Sequence, residues 1–236
     1  MIVLLVLLIP FIGTCLGAMA IFIIQKNLNK TFEKVMLGIA SGIMVAASIW
    51  SLLLPALQTS SSALWSVVTG MSLGILVFYL LDLFFLNKHE VDKTMLAITI
   101  HNVPEGMAVG VVLASYILGN VSIYACIALA LGIAVQNFPE GFIVSFPMLK
   151  KGYSKKAAFI YGVVSALFEM LGAIVTLFFT NFVVFLLPYF LSFAAGAMFY
   201  VVILELLPES RLANRGEVFT FMAGFLLMMI LDVLLG

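Results

Sequence analysis

Long apolar stretches, each close to the length of a membrane-spanning helix, fill the chain and are separated by short polar connections. A helix needs about 20 apolar residues to cross the hydrocarbon core of a bilayer. The pattern therefore predicts an all-α polytopic membrane protein with eight transmembrane helices. Their approximate ranges are 2–24, 35–57, 63–86, 94–118, 121–147, 157–180, 182–206 and 218–235. We expect residues 1–236 to form a single transmembrane domain.

The basic residues indicate how many spans there are and which way they run. All eleven Lys and Arg residues fall in the connections after the first, third, fifth and seventh spans. With eight spans these connections share one face of the membrane, and short loops rich in Lys and Arg stay in the cytoplasm. Both termini are then outside. Fusing either closely spaced pair of spans, at 119–121 or 180–181, would divide the basic residues between the two faces.

Composition supports the same class and excludes others. Hydrophobic residues make up 64% of the chain and charged residues 9%, which leaves too little polar surface for a soluble domain. The net charge is zero, and no basic tail or helix suggests nucleic acid. We expect a multi-pass protein of the plasma membrane whose main surroundings are lipid. The first span lacks a basic leading segment and is long enough to cross, so it is read as a helix rather than a secretory signal.

Two similar polar motifs lie deep inside the fourth and fifth spans, HNVPEG at 101–106 and QNFPEG at 136–141. A carboxylate inside a membrane segment costs about 2.5–3.5 kcal/mol on insertion scales, so such a residue is a candidate for function. Each motif also carries a proline, which frees a backbone carbonyl one turn earlier, and a glycine, which permits close helix approach.

The two spans are antiparallel neighbours, so the depths of the motif residues can be compared. His101 and Glu105 are four residues apart and share one helix face, as do Gln136 and Glu140. Counted from the cytoplasmic ends, His101 should face Glu140, and Glu105 should face Gln136 in a layer about 6 Å away. Four potential ligands therefore converge, and the upper layer lies near the middle of the membrane.

These side chains form a mixed ligand set for a metal ion. Imidazole, carboxylate and amide oxygen suit Zn²⁺, Fe²⁺, Mn²⁺, Co²⁺ or Cd²⁺ better than Cu(I). Glu169, about twelve residues into the sixth span, lies at a depth close to that of Glu105 and is a plausible further ligand, although a neutral, hydrogen-bonded role is the alternative. Three carboxylates brought together would repel unless they shared a proton or held a divalent ion. No organic cofactor is implied.

The two motifs on consecutive helices, with eight spans and outward termini, resemble the Zrt/Irt-like (ZIP) divalent-metal transporters over essentially the whole chain. The resemblance implies a 3+2+3 helix bundle in which the first three and last three helices are inverted repeats. It also implies import of zinc, with cadmium, iron, manganese or cobalt as further cargo, and a homodimer. It maps an often binuclear metal site onto His101, Asn102, Glu105, Gln136, Asn137 and Glu140, with Glu169 at the second metal position.

Some features depart from the family pattern or refine it. Gln136, where many members have His, resembles a prokaryotic branch of broad metal range. Asn137 stands where some relatives carry Asp, so a second metal would meet one negative charge fewer. The second span resembles the family helix that lines the outer entrance, which marks three candidate pathway residues. These are Met44, Ser48 and Ser51.

Other interpretations remain open at this stage. An intramembrane metal-dependent hydrolase would use the same ligand types, but the chain has no His-Glu-x-x-His pattern and no evident nucleophile. His101 and Glu105 with Glu140 would also serve as a hydrogen-bonded lock between two helices. Met44 is also consistent with simple packing. Asp82 and Asp232 lie near span ends, where we expect them to reach water.

Overall fold

Helices make up nearly all of the structure, a computed structural model that describes residues 2–23, 30–58, 63–86, 93–179, 186–211 and 215–235. The side chains of 85–101, Pro104 and Leu235 lie outside this description. The helices are α1 (Ile2–Met19), α2 (Lys30–Gln58), α3 (Ala63–Leu81), α4 (Lys93–Ile117), α5 (Ile123–Lys150), α6 (Lys155–Phe178), α7 (Leu187–Glu209) and α8 (Gly216–Leu235). Seven of these eight described helices are long and apolar enough to cross a membrane, and α4 carries a further apolar segment at Glu105–Ile117. The predicted all-α polytopic membrane protein is confirmed.

The helices extend past several of the predicted span limits. The second span, expected from 35, begins at Lys30, and the fifth, expected to end at 147, continues through Pro147 to Lys150. The start expected for the seventh span, at 182, falls outside the described residues, and its helix continues to Glu209. Hydropathy marks the hydrocarbon core, whereas a helix can continue into the interface where long charged side chains reach water.

Two groups of four helices make up the bundle. In the first, which we call the ligand bundle (α1, α4, α5 and α6), α1 packs most extensively on α5 and α4 on α6. In the second, the support bundle (α2, α3, α7 and α8), α2 packs on α8 and α7 on α3. The same pairs result when α1–α3 are exchanged with α6–α8 and α4 with α5. This packing has the symmetry that inverted repeats around a central helix pair would produce.

One end of the bundle, which we call the basic end, carries the basic residues that the structure describes. It comprises the starts of α2, α4, α6 and α8 and the ends of α5 and α7. Lys150 at the end of α5 donates two hydrogen bonds to the Glu33 carboxylate of α2, at 3.0 and 2.8 Å. Lys155 at the start of α6 donates to the carbonyl oxygen of Phe22, at 2.9 Å. These contacts agree with the alternating direction predicted for the spans.

Candidate metal centre

The two motifs sit within unbroken helices, and their glycines bring the neighbouring backbones close. α5 continues through Pro139. A Cβ atom added at Gly106 on α4 would collide with the carbonyl oxygen of Glu169 on α6. A Cβ atom added at Gly141 on α5 would collide in the same way with the carbonyl oxygen of Thr14 on α1. Each motif is therefore clamped against one helix of the ligand bundle.

Three of the predicted ligands are buried inside the bundle. The exposed fractions of Glu105, Gln136 and Glu140 are 1%, 2% and 0%. Asn102 and Asn137 are also fully buried. Burial of carboxylates and amides at this depth is unfavourable unless each finds a hydrogen bond or a cation. The side chain of His101 lies outside the described residues, so its pairing with Glu140 stays a prediction.

Both motif asparagines direct their amide nitrogens at α6. Asn137 Nδ2 donates to Glu169 Oε2 at 2.8 Å. Asn102 Nδ2 donates to the carbonyl oxygen and to the hydroxyl of Ser165, each at 3.1 Å. The side-chain oxygens of both asparagines are buried and have no hydrogen-bond partner among the described residues. These oxygens are therefore available to a cation or to water at the centre.

Glu169 is held on the α6 side of the centre rather than standing free in it. It accepts from Asn137, and the Thr14 side chain of α1 lies close to it. Glu105 is close enough for electrostatic repulsion between the two carboxylates. Within the described part of the chain, no three His, Cys, Asp or Glu side chains form a group that could hold a metal ion. The carboxylates Glu105, Glu140 and Glu169 therefore do not make such a group by themselves.

A polar cavity of about 550 Å³ opens at the end of the bundle opposite the basic end. Ser51 and Asp232 line it, and the Ser51 hydroxyl donates to Asp232 Oδ1 at 2.6 Å. Ser51 lies in a π-helical turn, Ser48–Leu53, a distortion that is frequent at functional sites. Asp232 is half-buried, and part of its surface faces this cavity.

The other two candidate pathway residues on α2 have local partners. Met44 is fully buried in the hydrophobic core. Ser48 is buried too, and its hydroxyl donates to the Met44 carbonyl oxygen one turn earlier, at 2.8 Å. Their pathway role stays a prediction. Asp82, also expected in water, accepts a hydrogen bond from the Tyr200 hydroxyl at 3.2 Å and so bridges α3 to α7.

One face of α5 connects the outer cavity to the basic end. A Cβ atom added at Gly132 would lie 3.4 Å from Asp232 Oδ1, which places the outer cavity beside this residue. Gln136 and Glu140 follow at intervals of four and share that face. Pro147, further along α5, lines a second cavity of about 310 Å³ at the basic end.

Three polar residues at the centre or beside the outer cavity were not singled out as functional from the sequence. Thr14 is buried beside Glu169, Ser165 is buried where it accepts from Asn102, and Asp232 lines the outer cavity. Thr14 lies between Gly13 and Gly17 in an otherwise apolar span, and such a polar residue flanked by small ones signals a helix contact. Ser165 has no comparable signal, because a serine in a membrane helix often bonds only to its own backbone.

A bundle of membrane-crossing helices with acids and amides buried at mid-depth defines the class of multi-pass membrane proteins that handle a cation within the bilayer. The family model described as ZIP Zinc transporter matches residues 91–232. The chain belongs to this family. Because the family consists of transporters, the protein is not an enzyme, and nothing supports the hydrolase interpretation.

Relatives from bacteria and from animals resemble the chain over most of its length. Zinc transporter ZIPB of Bordetella bronchiseptica is 35% identical, over 96% of this chain and 79% of the relative. Zinc transporter GufA of Myxococcus xanthus is 30% identical over 95% of each. Zinc transporter ZIP11 of Homo sapiens is 29% identical over 94% of each. The similarity therefore extends well beyond the matched family region.

Proposed function

We propose that this protein carries divalent transition-metal ions, zinc foremost, into the cytoplasm through a site between α4 and α5. The observation that carries the proposal is the burial of Glu105, Gln136 and Glu140 at mid-depth, on the two motif helices of a member of a zinc-transporter family. An intramembrane acid of this kind marks an ion pathway by default. Residues 1–236 act as one transporter domain in the plasma membrane.

The transported ion is held by His101, Glu105, Gln136 and Glu140. One imidazole, two carboxylates and an amide oxygen suit Zn²⁺, which takes nitrogen and oxygen ligands in a four-coordinate arrangement. Cd²⁺, Fe²⁺ and Mn²⁺ accept the same ligand types and are further cargo. The site needs no organic cofactor. The ion is substrate here, so its ligands must release it in each cycle.

One ion at a time occupies this centre. Glu169, the ligand that the family resemblance assigns to a second metal, already accepts a hydrogen bond from Asn137. The positive end of the Asn137 amide thus lies where a second cation would otherwise be favoured. Asp at that position would add a negative charge in place of this donor. The second metal position is therefore expected to be empty in transport.

The ion's route follows the α5 face from the outer cavity to the basic end. Asp232 and Ser51 draw the cation in, the central ligands receive it, and the cavity at Pro147 leads out. The basic end is cytoplasmic because loops rich in Lys and Arg stay on that side. Access alternates as the ligand bundle moves against the support bundle. The homodimer implied by the resemblance stays a prediction, which cross-linking in native membranes tests.

The test is metal uptake into proteoliposomes loaded with a zinc-sensitive dye, with lumenal pH recorded at the same time. Wild type should give saturable uptake, and Glu140→Gln should lose nearly all of it. Glu217→Gln is the matched control, since it makes the same chemical change at the start of α8, away from the centre. Wild-type uptake by a folded Glu140→Gln protein would reject the site, and no uptake by a folded, metal-binding wild type would reject the function.

A further inference from the structure

Polar contacts between helices fall into two kinds when they are sorted by bundle. The hydrogen bonds of Asn102 and Asn137 stay within the ligand bundle, and that of Ser51 stays within the support bundle. The ion pair between Lys150 and Glu33 instead crosses from α5 of the ligand bundle to α2 of the support bundle. It therefore ties together the two groups whose relative movement the transport cycle requires.

Aromatic contacts reinforce the ion pair at the same place. Phe32 of α2 meets Phe142 of α5 edge to face, with ring centroids 6.3 Å apart and planes at 88°. Phe142 stacks on Phe146 with centroids 5.1 Å apart, and Lys150 Nζ lies 5.7 Å from the Phe146 centroid. Such ring and cation–π contacts give Lys150 a defined position beside Glu33.

We propose that the Glu33–Lys150 ion pair is a latch across the two bundles that restricts the basic end of the metal pathway. The proposal rests on the proposed function, because it assigns the latch to a step of the transport cycle. Both residues line the cavity at the basic end together with Pro147, on the route leading from Glu140. Lys150 comes ten residues after Glu140, which places the latch about 15 Å beyond the metal centre.

Apolar surfaces form other parts of the boundary between the bundles. Two apolar grooves, of about 630 and 540 Å³, lie along it on opposite sides of the molecule. Ile12 and Ile39 line one groove, and Val77 and Met107 line the other. The apolar side chains that line these grooves can move past one another without breaking hydrogen bonds. The ion pair, in contrast to these apolar surfaces, is a directional contact that must break when the bundles separate at the basic end.

The ion pair between Glu33 and Lys150 is weak enough to break and re-form in every transport cycle. The side chains of Lys150 and Glu33 are 45% and 26% exposed, so water and salt weaken their attraction. Partly exposed pairs of this kind shift an equilibrium by about two- to five-fold. Loss of the pair should raise the accessibility of the basic-end cavity by that factor.

The test measures access to Ile143, which lines the cavity, without metal present. Ile143→Cys is introduced after the free thiols Cys15 and Cys126 are changed to Ala, and a neutral, bulky maleimide is added from the basic side. Glu33→Gln and Lys150→Gln should each raise the labelling rate about two- to five-fold.

Charge reversal and a matched control separate the latch from a general charge effect. The double variant Glu33→Lys with Lys150→Glu should return labelling to the starting rate. Lys155→Gln is the control, because Lys155 bonds to Phe22 inside the ligand bundle. High salt should remove the difference between Glu33→Gln and its parent.

Unchanged labelling in both single variants would overturn the latch, and so would an equal increase in Lys155→Gln or a failed charge reversal. Because the assay contains no metal, these outcomes are separate from a failure of uptake in the Glu140→Gln experiment.

Discussion

Asn137→Asp should convert a centre for one metal ion into a centre for two. In the structure Asn137 Nδ2 donates to Glu169 Oε2 at 2.8 Å. The substitution replaces that donor with an oxygen and places two carboxylates at this separation. Two unit charges 2.8 Å apart repel by about 6 kcal/mol at an effective dielectric constant of about 20. A divalent cation between them relieves the repulsion and gains two further ligands, so the variant should take up a second ion.

The assay is elemental analysis of purified protein, equilibrated with zinc and freed of loosely bound metal. Wild type should hold about one ion per chain and Asn137→Asp about two. Asn137→Ala is the control, because it removes the donor without adding a charge and should stay near one. Two ions in the wild type, or one ion in a folded Asn137→Asp protein, would refute the reasoning that the asparagine amide takes the place of the second metal.

Three further results are expected. Gly141→Ala should lower the thermal unfolding temperature, since its Cβ atom would collide with the Thr14 backbone at a penalty of about 1–3 kcal/mol. Gly132→Ala, whose Cβ atom would lie 3.4 Å from its nearest neighbour, should fold normally. Asp232→Asn should raise the zinc concentration needed for half-maximal uptake while leaving the maximal rate near wild type, and an unchanged half-maximal concentration would remove Asp232 from the route. Ser165→Ala should keep uptake within about two-fold, because the backbone carbonyl still accepts from Asn102; abolished uptake in a folded protein would contradict this.

The sequence predicted the fold class and helix order because hydrophobic length and basic loops are local signals. The limits of individual helices were less predictable. α5 continues past Pro147, where hydropathy placed its end, because a proline removes one backbone donor and a helix can continue around it. The division into two bundles was not predicted from the residues, since it depends on contacts between helices far apart in the chain.

In the site, too, residues with a local sequence signal were predictable, whereas residues whose role depends on packing were not. Glu105, Gln136 and Glu140 could be proposed from the sequence because charges and amides in apolar spans are conspicuous and recur at a fixed spacing, and the structure buries all three. The partners Thr14 and Asp232 could not be proposed in this way, because an isolated polar residue in a span becomes meaningful only when packing shows what it faces. Their positions follow from glycine contacts and a π-helical turn, neither of which hydropathy reveals.

The most direct test of the central claim is the position of zinc in crystals of the wild-type protein, located by anomalous scattering at the zinc edge. The account predicts one strong peak between α4 and α5, within bonding distance of His101, Glu105 and Glu140, and no peak between Asn137 and Glu169. A zinc peak away from the motif helices, or two equally occupied peaks at the centre, would contradict it.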